Sequence, residues 1–314
     1  MISFSEAQQL IIKAAVPAAT EPVSLQAALN RVLAVDLVAD RDYPPFNRAA
    51  MDGYALRIAE IKAGITVFTV TETIFAGTVP LADAPAGTAY RIMTGAAVPP
   101  GMDVVVRVED TSEQEGRVEI KSIPSKPFQN IAKKGEDTSA GQTVIKAPLL
   151  CKATAIGTMA ALGIHEPVVY RQPRIAVITT GNEVVPVNEL PSTVQIRNSN
   201  LQLLKALLSE MNIQLSAEMH VPDDPELMEA AVKAGLSYDI LITCGGVSAG
   251  DADHIPEIMQ QLQVNCLFHK VAIKPGKPVW CGTYGNNTRV FALPGNPFSC
   301  YVCFKLFVET YIRA

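Results

Sequence analysis

Residues 239–254 read D-I-L-I-T-C-G-G-V-S-A-G-D-A-D-H, and the way this stretch is read decides the fold. Ile240, Leu241 and Ile242 form a short, nearly all-apolar run, the pattern of a strand buried on both faces of a parallel sheet. Gly245 and Gly246 end the run. Ser248, Gly250, Asp251 and Asp253 follow before helical periodicity resumes near Ile255. A glycine-rich turn at the carboxyl end of a buried strand presents several backbone N–H groups, which suits an anion such as phosphate. Two aspartates alone would repel that anion, so they point to a divalent cation shared with it. A tight turn with Asp251 or Asp253 as the N-cap of the next helix explains the same residues locally. The surrounding sequence decides between the two.

On both sides of this stretch the chain alternates between strand and helix patterns. R-I-A-V-I, from Arg174, reads as a buried strand running into T-T-G-N-E-V. Asn198-Ser199-Asn200 caps a helix whose Leu201, Leu204, Leu208 and Met211 face a core. I-Q-L-S-A-E-M is the next strand, and V-P-D-D-P-E opens a helix with Pro225 in its first turn. Beyond the glycine turn come a helix over residues 255–262, strand-like C-L-F-H-K-V-A-I, the turn K-P-G-K-P, strands P-V-W-C-G and R-V-F-A-L, then P-G-N-P and a final helix. Repeated strand–helix–strand units predict a doubly wound, mostly parallel sheet with helices on both faces and ligands beyond the carboxyl ends of its strands. Those ends carry Glu183, then Asp223 and Asp224, then Asp251 and Asp253, then Lys274 and Lys277, and finally Asn296 and Ser299. Carboxylates, lysines and glycine turns converging on one rim fit a Mg²⁺ site beside a phosphorylated ligand, with lysines placed for a further anion.

The first half has a different texture. Residues 2–15 carry a helical pattern with Phe4, Ala7, Leu10, Ile11 and Ala14 on one face and Ser3 or Ser5 as cap. Residues 25–33 predict a second helix. In Y-P-P-F-N-R-A-A-M-D-G-Y-A-L-R the prolines enforce extended backbone and Asp52-Gly53 signals a turn, which sets Asp52 on an exposed loop. From Thr66 to Ile145, short β-type runs alternate with turns and predict a small, mostly-β module. Two of its loops stand out: R-I-M-T-G-A-A-V-P-P-G, with Thr94 at a strand end, and K-K-G-E-D-T-S-A-G-Q, with Asp137. Residues 153–163 predict a helix ended by Gly163.

Composition bounds the function. At 314 residues, with 48% apolar and 18% charged, the chain has ample core for more than one globular domain, and its net charge of −5 argues against a nucleic-acid partner. No secretory leader pattern is present and the most apolar helical stretch, residues 153–164, is too short to cross a bilayer, so a cytoplasmic protein with no membrane partner is expected. Six cysteines include Cys300-x-x-Cys303 inside an apolar helical run without a second pair, which reads as buried structural cysteine rather than zinc or redox chemistry.

Taken together, P-P-F-N-R-A-A-M-D-G-Y-A, R-I-M-T-G-A-A-V-P-P-G, K-K-G-E-D-T-S-A-G, T-T-G-N-E-V, R-N-S-N, V-P-D-D-P, C-G-G-V-S-A-G-D-A-D, A-I-K-P-G-K-P and A-L-P-G-N-P resemble the molybdopterin molybdenumtransferase (MoeA) family, to which the C-terminal domain of gephyrin is related. The motifs occur in family order from about Pro44 to Ser299. The resemblance implies a transferase of molybdenum cofactor biosynthesis that takes adenylylated molybdopterin and molybdate and, with Mg²⁺, releases AMP. It implies a homodimer whose cleft joins the α/β domain of one subunit to the β domain of the other, with a molybdopterin adenylyltransferase as a further partner. The expected division is residues 1–44 with 138–170 as a helical linker and dimerisation domain, 45–137 as the small β domain and 171–314 as the α/β molybdopterin-binding domain.

Carried over position by position, Asp52, Thr94, Asp137, Glu183, Lys270 and Lys274 fall at catalytic positions. Asp223 and Asp253 fall at further active-site positions, and their chemistry, with that of Asp251, assigns them to the metal. By their own chemistry Gly245, Gly246, Ser248, Lys277, Asn296 and Ser299 are expected to bind the pterin phosphate or the molybdate. Two departures stand out. Ala132 occupies a place where the family pattern has arginine, which leaves that anion contact to Lys133 or Lys134, and the sequence ends at Y-I-R-A where relatives continue into a small β domain. Two alternatives follow: a molybdopterin-binding or scaffold paralogue without turnover, or a molybdopterin adenylyltransferase, against which the D-G-Y-A and M-T-G-A loops speak.

Overall fold

The computed structural model describes residues 1–80, 85–247 and 254–314. The chain forms two compact units: Met1–Val23, Asn30–Val32 and Val168–Ala314 make the first, and Ser24–Leu29 with Leu33–Pro167 the second.

The first unit is built on a six-stranded sheet. Its strands in chain order are β1 (Ile175–Thr180), β2 (Ala217–Val221), β3 (Ile240–Cys244), β4 (Asn265–His269), β5 (Trp280–Tyr284) and β6 (Thr288–Leu293), and their spatial order is β2-β1-β3-β6-β5-β4. β2, β1, β3 and β6 run parallel, with Ile242 opposite Val177 on one side and Phe291 on the other. β5 lies antiparallel to both of its neighbours, which returns β4 to the common direction. The fold is therefore doubly wound and mostly parallel, as the sequence predicts.

Period-2 alternation distributes the central strands between two cores. Ile240, Ile242 and Cys244 pack with Val177, Phe291 and Leu293 on one face, while Leu241 packs with Ala176, Ile178 and Val290 on the other. The first face is covered by Leu204, Leu207 and Leu208 of the helix Ser199–Glu210, by Phe304 and Phe307, and by Ala7 and Ile11 of the N-terminal helix Phe4–Lys13. Met228 and Val232 of Pro225–Gly235, with Ile258 and Met259 of Ile255–Gln261, cover the second. Ser3 and Glu6 form a reciprocal capping box on the N-terminal helix, one of the two caps expected. Buried Arg289 holds the far end of that helix through Nε and Nη2 donated to the Ala14 carbonyl, at 2.8 and 2.6 Å.

Cys244, Cys300 and Cys303 are buried in the first core, in keeping with a structural role. Burial pushes the Cys303 thiol up to about 12 and so keeps it protonated and inert.

The second unit carries a six-stranded sheet in the order Val104–Arg107, Gly53–Leu56, Thr88–Ile92, Val67–Ile74, Arg117–Ile120, Thr111–Gln114. Its pairs are antiparallel except Val67–Ile74 with Thr88–Ile92. Each face has its own apolar cluster, one around Tyr90, Ile92 and Val105 and the other around Tyr54, Phe68 and Val104.

Two local expectations are corrected. Residues 25–33 form no helix: only the short 3-10 turn Gln26–Ala28 is present, and Asn30 then takes a left-handed φ of 62° that a continuing helix excludes. Asp52-Gly53 does not simply end an element, because Gly53 begins an internal strand of the β sheet. A Cβ there would lie 2.0 Å from the Val106 carbonyl oxygen, so a cross-strand approach, and not a turn, requires the glycine. Among the described residues no helix is long and apolar enough to cross a membrane.

Gly53→Ala must displace the Val106 strand and is expected to lower stability by about 3 kcal/mol. A urea unfolding midpoint equal to wild type would show that the sheet yields at this point without cost.

Candidate functional site

The parallel strands β1, β2, β3 and β6 end on one edge of the sheet, and β4 ends there too because β5 reverses twice. At that edge lies a cavity of about 460 Å³. Its walls are the strand ends and the segments that leave them: Thr179 and Thr180 at the end of β1 with Gly181 and Glu183 beyond it, Asp223 after β2, Cys244 at the end of β3 with Gly245 and Gly246 beyond it, and Pro294, Gly295, Asn296 and Ser299 after β6. Arg197, Asn198, Ser199 and Asn200, at the entry to the helix Ser199–Glu210, also line it, as does Pro278 in the connection from β4 to β5.

Small side chains let these turns converge. Gly245 has φ +103°, and a Cβ on it would meet Thr180 Oγ1 at 2.5 Å. A Cβ on Gly295 would sit 3.7 Å from the Gly245 Cα, so the turns after β3 and β6 are in near contact. Gly246, also left-handed at φ +66°, continues the turn. This is a backbone-lined surface of the kind that accepts a phosphate.

Hydrogen bonds fix the walls. Asn182 N donates to Asp223 Oδ2 and Asp223 N donates to Asn182 Oδ1, both at 3.2 Å, a reciprocal tie between the loops after β1 and β2. Asn198 caps its helix through Leu201 N, while its Nδ2 donates to Thr179 Oγ1 at 2.8 Å. Thr179 Oγ1 in turn lies 3.0 Å from His220 Nδ1. Asn200 Nδ2 donates to the Gly295 carbonyl at 2.7 Å. Asn296 Oδ1 accepts from Phe298 N and Ser299 N, so its acceptor is engaged in starting the final helix.

Of the residues expected at the site, Glu183, Asp223, Gly245, Gly246, Asn296 and Ser299 are brought together around this cavity. Ser248, Asp251 and Asp253 lie outside the described residues. Lys270, Lys274 and Lys277 belong to the connection from β4 to β5, on the same edge of the sheet, but they do not line the cavity. Strand spacing of about 4.8 Å puts the end of β4 roughly 10 Å along that edge from the end of β6. The connection is a closed turn, with Lys270 N donating to Val279 O and Val271 N donating to Lys277 O, each at 3.0 Å.

Asp52, Thr94 and Asp137 belong to the β unit. Asp52 and Thr94 are joined there: Asp52 Oδ1 accepts from Thr94 Oγ1 at 2.7 Å and from Thr94 N at 2.6 Å. The Thr94 hydroxyl, and after it the amide, hold the Asp52 carboxyl below the usual carboxylate range. Asp137 N donates to the Tyr43 carbonyl, 3.0 Å away in the same unit.

Asn182, Thr180 and Asn200 went unassigned in the sequence. Asn200 was legible in R-N-S-N, where a helix cap accounted for the run. Asn182 carried no signal beyond its place in T-T-G-N-E-V, because its role depends on a partner 41 residues away. Among the described residues no group of three or more His, Cys, Asp or Glu side chains is placed to hold a metal ion. The cavity does offer the carboxylates of Glu183 and Asp223. That donor set suits Mg²⁺, which keeps several waters and takes one or two carboxylates alongside substrate phosphates.

Comparison with known proteins matches residues 2–163 to the family described as "MoeA N-terminal region (domain I and II)" and residues 176–314 to "Probable molybdopterin binding domain". The molybdopterin molybdenumtransferase of Staphylococcus aureus strain Mu50 is 37% identical over 324 aligned residues, covering 99% of this chain and 75% of that protein. That of Staphylococcus epidermidis strain RP62A is 37% identical, covering 98% and 74%. Among solved structures, the molybdopterin biosynthesis MoeA protein from Pyrococcus horikoshii superposes with a TM-score of 0.84 at 29% identity, covering 100% of this chain and 80% of that one.

Asp52 titrates below its ordinary 3.8 because Thr94 stabilises the charged form. The contribution to stability is therefore present above pH 3.8 and is lost as pH falls through the lower folded-state value. Thr94→Val removes the leading cause, and carboxyl NMR titration should show the Asp52 pKa rising toward the ordinary value. An unchanged pKa would mean that the hydroxyl contact does not persist in solution.

Proposed function

The chain belongs to the molybdopterin molybdenumtransferase family, a family of transferases in molybdenum cofactor biosynthesis, and from that membership we propose that it inserts molybdenum from molybdate into adenylylated molybdopterin with release of AMP. The observation that carries the proposal is the cavity at the carboxyl ends of β1, β2, β3 and β6, where two carboxylates meet two glycine turns. A doubly wound sheet binds its ligand at this edge.

The residues divide the work by their chemistry. The turn at Gly245 and Gly246, with Ser248, receives the pterin phosphate on backbone and hydroxyl donors. Glu183 and Asp223, together with Asp251 and Asp253, would hold Mg²⁺, whose charge offsets that of the substrate phosphates when it is bound. Lys270, Lys274 and Lys277, clustered on the neighbouring part of the edge, provide compact positive charge for the molybdate oxyanion, and Asn296 and Ser299 add polar donors. Asp52, Thr94 and Asp137 are assigned catalytic roles from the β unit. Thr94 holds the Asp52 carboxylate ionised and oriented, ready to accept a hydrogen bond from an attacking water.

Breaking the phosphoanhydride adds one water across the P–O–P linkage and yields AMP and the phosphate-bearing pterin. Rate enhancement then comes from positioning and charge stabilisation. The substrate is the product of an ATP-dependent adenylyl transfer, so a molybdopterin adenylyltransferase is the expected partner. A homodimer, residues 1–44 with 138–170 serving dimerisation beside a β domain (45–137) and an α/β domain (171–314), and a cytoplasmic setting belong to the same proposal.

Purified protein incubated with adenylylated molybdopterin, Mg²⁺ and molybdate should release AMP only when molybdate is present. Tight binding without AMP release would favour a binding or scaffold protein, and ATP-dependent adenylylation of free molybdopterin would favour an adenylyltransferase. Asp52 is exposed, so Asp52→Ala is expected to leave stability near wild type and to cut AMP release by 10²-fold or more. Substantial residual turnover would remove Asp52 from the chemistry. Lys277→Ala should raise the molybdate concentration required for half-maximal turnover while leaving pterin binding unchanged; an unaltered requirement would take Lys277 out of the oxyanion site.

A further inference from the structure

Arg197 opens the R-N-S-N run and lines the cavity, and the roles above leave its charge unused. Of the described side chains lining it, Glu183 and Asp223 are acidic and Arg197 alone is cationic. An anionic guest entering a site with two carboxylates meets repulsion from both, and the lysines of residues 270–277 do not line this space. Among the described residues that line the cavity, the exposed Arg197 is therefore the cation available to such a guest.

The chain makes a long excursion to deliver this side chain. After β1 it passes through Val184–Val185, leaves the body of the unit and returns at Ile196–Arg197, where the two pieces pair in parallel with Val185 opposite Arg197. Ile196 N donates to Glu183 O at 2.7 Å and Asn198 N donates to Val185 O at 2.8 Å, so the backbone on each side of Arg197 is tied to the segment that follows Glu183. The next residue, Asn198, is itself held by Thr179 and by the helix it caps. The excursion builds no core of its own: Leu190 is 90% and Val194 80% exposed. Its ordered product is the placement of Arg197.

The side chain is partly organised as well. Arg197 Nε donates to the Glu189 carbonyl at 3.2 Å, and among the described residues no carboxylate pairs with it. With Nε engaged, the two Nη groups remain as a planar pair of donors, a geometry that matches two oxygens of a phosphate-type anion. A solvated arginine that merely closes the loop through Glu189 is the competing account. It leaves unexplained why the position lines the cavity.

We propose that Arg197 is a substrate-binding residue of this cavity, its guanidinium gripping a phosphate group of the ligand through paired N–H donors. The assignment rests on the proposed function for the identity of the ligand, and on the cavity alone for its anionic character.

The test is isothermal titration of the full chain with inorganic pyrophosphate, comparing wild type, Arg197→Lys and Arg197→Ala, with thermal unfolding of each. Loss of a charge-assisted pair of hydrogen bonds should weaken pyrophosphate binding in Arg197→Ala about 10- to 100-fold. Arg197→Lys, which keeps charge but loses the planar fork, should fall between the two. Equal dissociation constants for wild type and Arg197→Ala would overturn the proposal, as would absence of measurable binding by wild type. If Arg197→Ala fails to fold, Arg197→Lys carries the test, and wild-type affinity in that variant overturns the paired-donor geometry. Arg197-dependent pyrophosphate binding in a protein that shows no molybdate-dependent AMP release would reject the proposed reaction and leave this site standing.

Discussion

Parallel pairing of β3 with β1 on one side and β6 on the other is the constraint from which the site follows. Each parallel step requires the chain to cross back over a face of the sheet, so every turn at the carboxyl ends opens toward the same edge. Three turns without bulky side chains then meet there. Thr180 Oγ1 abuts Gly245 at a distance that leaves no room for a Cβ there, and a Cβ on Gly295 would reach van der Waals contact with Gly245. The cavity is the space these turns enclose, and its polar walls are held by amide cross-links between loops far apart in sequence, such as Asn182 with Asp223.

Charge organises the same edge. Among the described residues the cavity lining includes two acidic residues and one arginine, and three lysines lie on the connection between β4 and β5, whose Pro278 also lines the cavity. Such an arrangement separates an acidic region suited to a hard divalent cation from a basic region suited to an oxyanion. A substrate that carries phosphates and reacts with a second anion requires both regions. In the β unit the Asp52–Thr94 pair is a separate device, a carboxylate kept ionised by a hydroxyl and an amide from one residue.

Much of this was legible in the sequence, for identifiable reasons. The run at Ile240 to Ile242 is apolar at every position because its strand is buried on both faces, and this marked the sheet centre without further information. Caps announced themselves where a short polar side chain preceded an apolar period, at Ser3, Asn198 and Asp224. Glu183, Asp223, Gly245 and Asn296 were legible as rim residues because they follow strands closely. Residues 25–33 misled because their apolar spacing fits a helix, while the left-handed backbone at Asn30 depends on where the chain must go next. Gly53 misled because Asp-Gly is a turn signal, whereas its reason lies in a strand more than 50 residues away. Asn182 stands in T-T-G-N-E-V and Arg197 in R-N-S-N, but the contacts of each, with Asp223 and with the Glu189 carbonyl, are made only in the folded chain.

The central claim is that the edge where β1, β2, β3 and β6 end is where the phosphorylated pterin binds. Hydrogen–deuterium exchange of the full chain, with and without adenylylated molybdopterin and Mg²⁺, tests it most directly. The account predicts ligand-dependent protection of the backbone at residues 180–184, 196–200, 244–247 and 294–299. Protection confined to other surfaces, with these four segments exchanging as in the free protein, would contradict it.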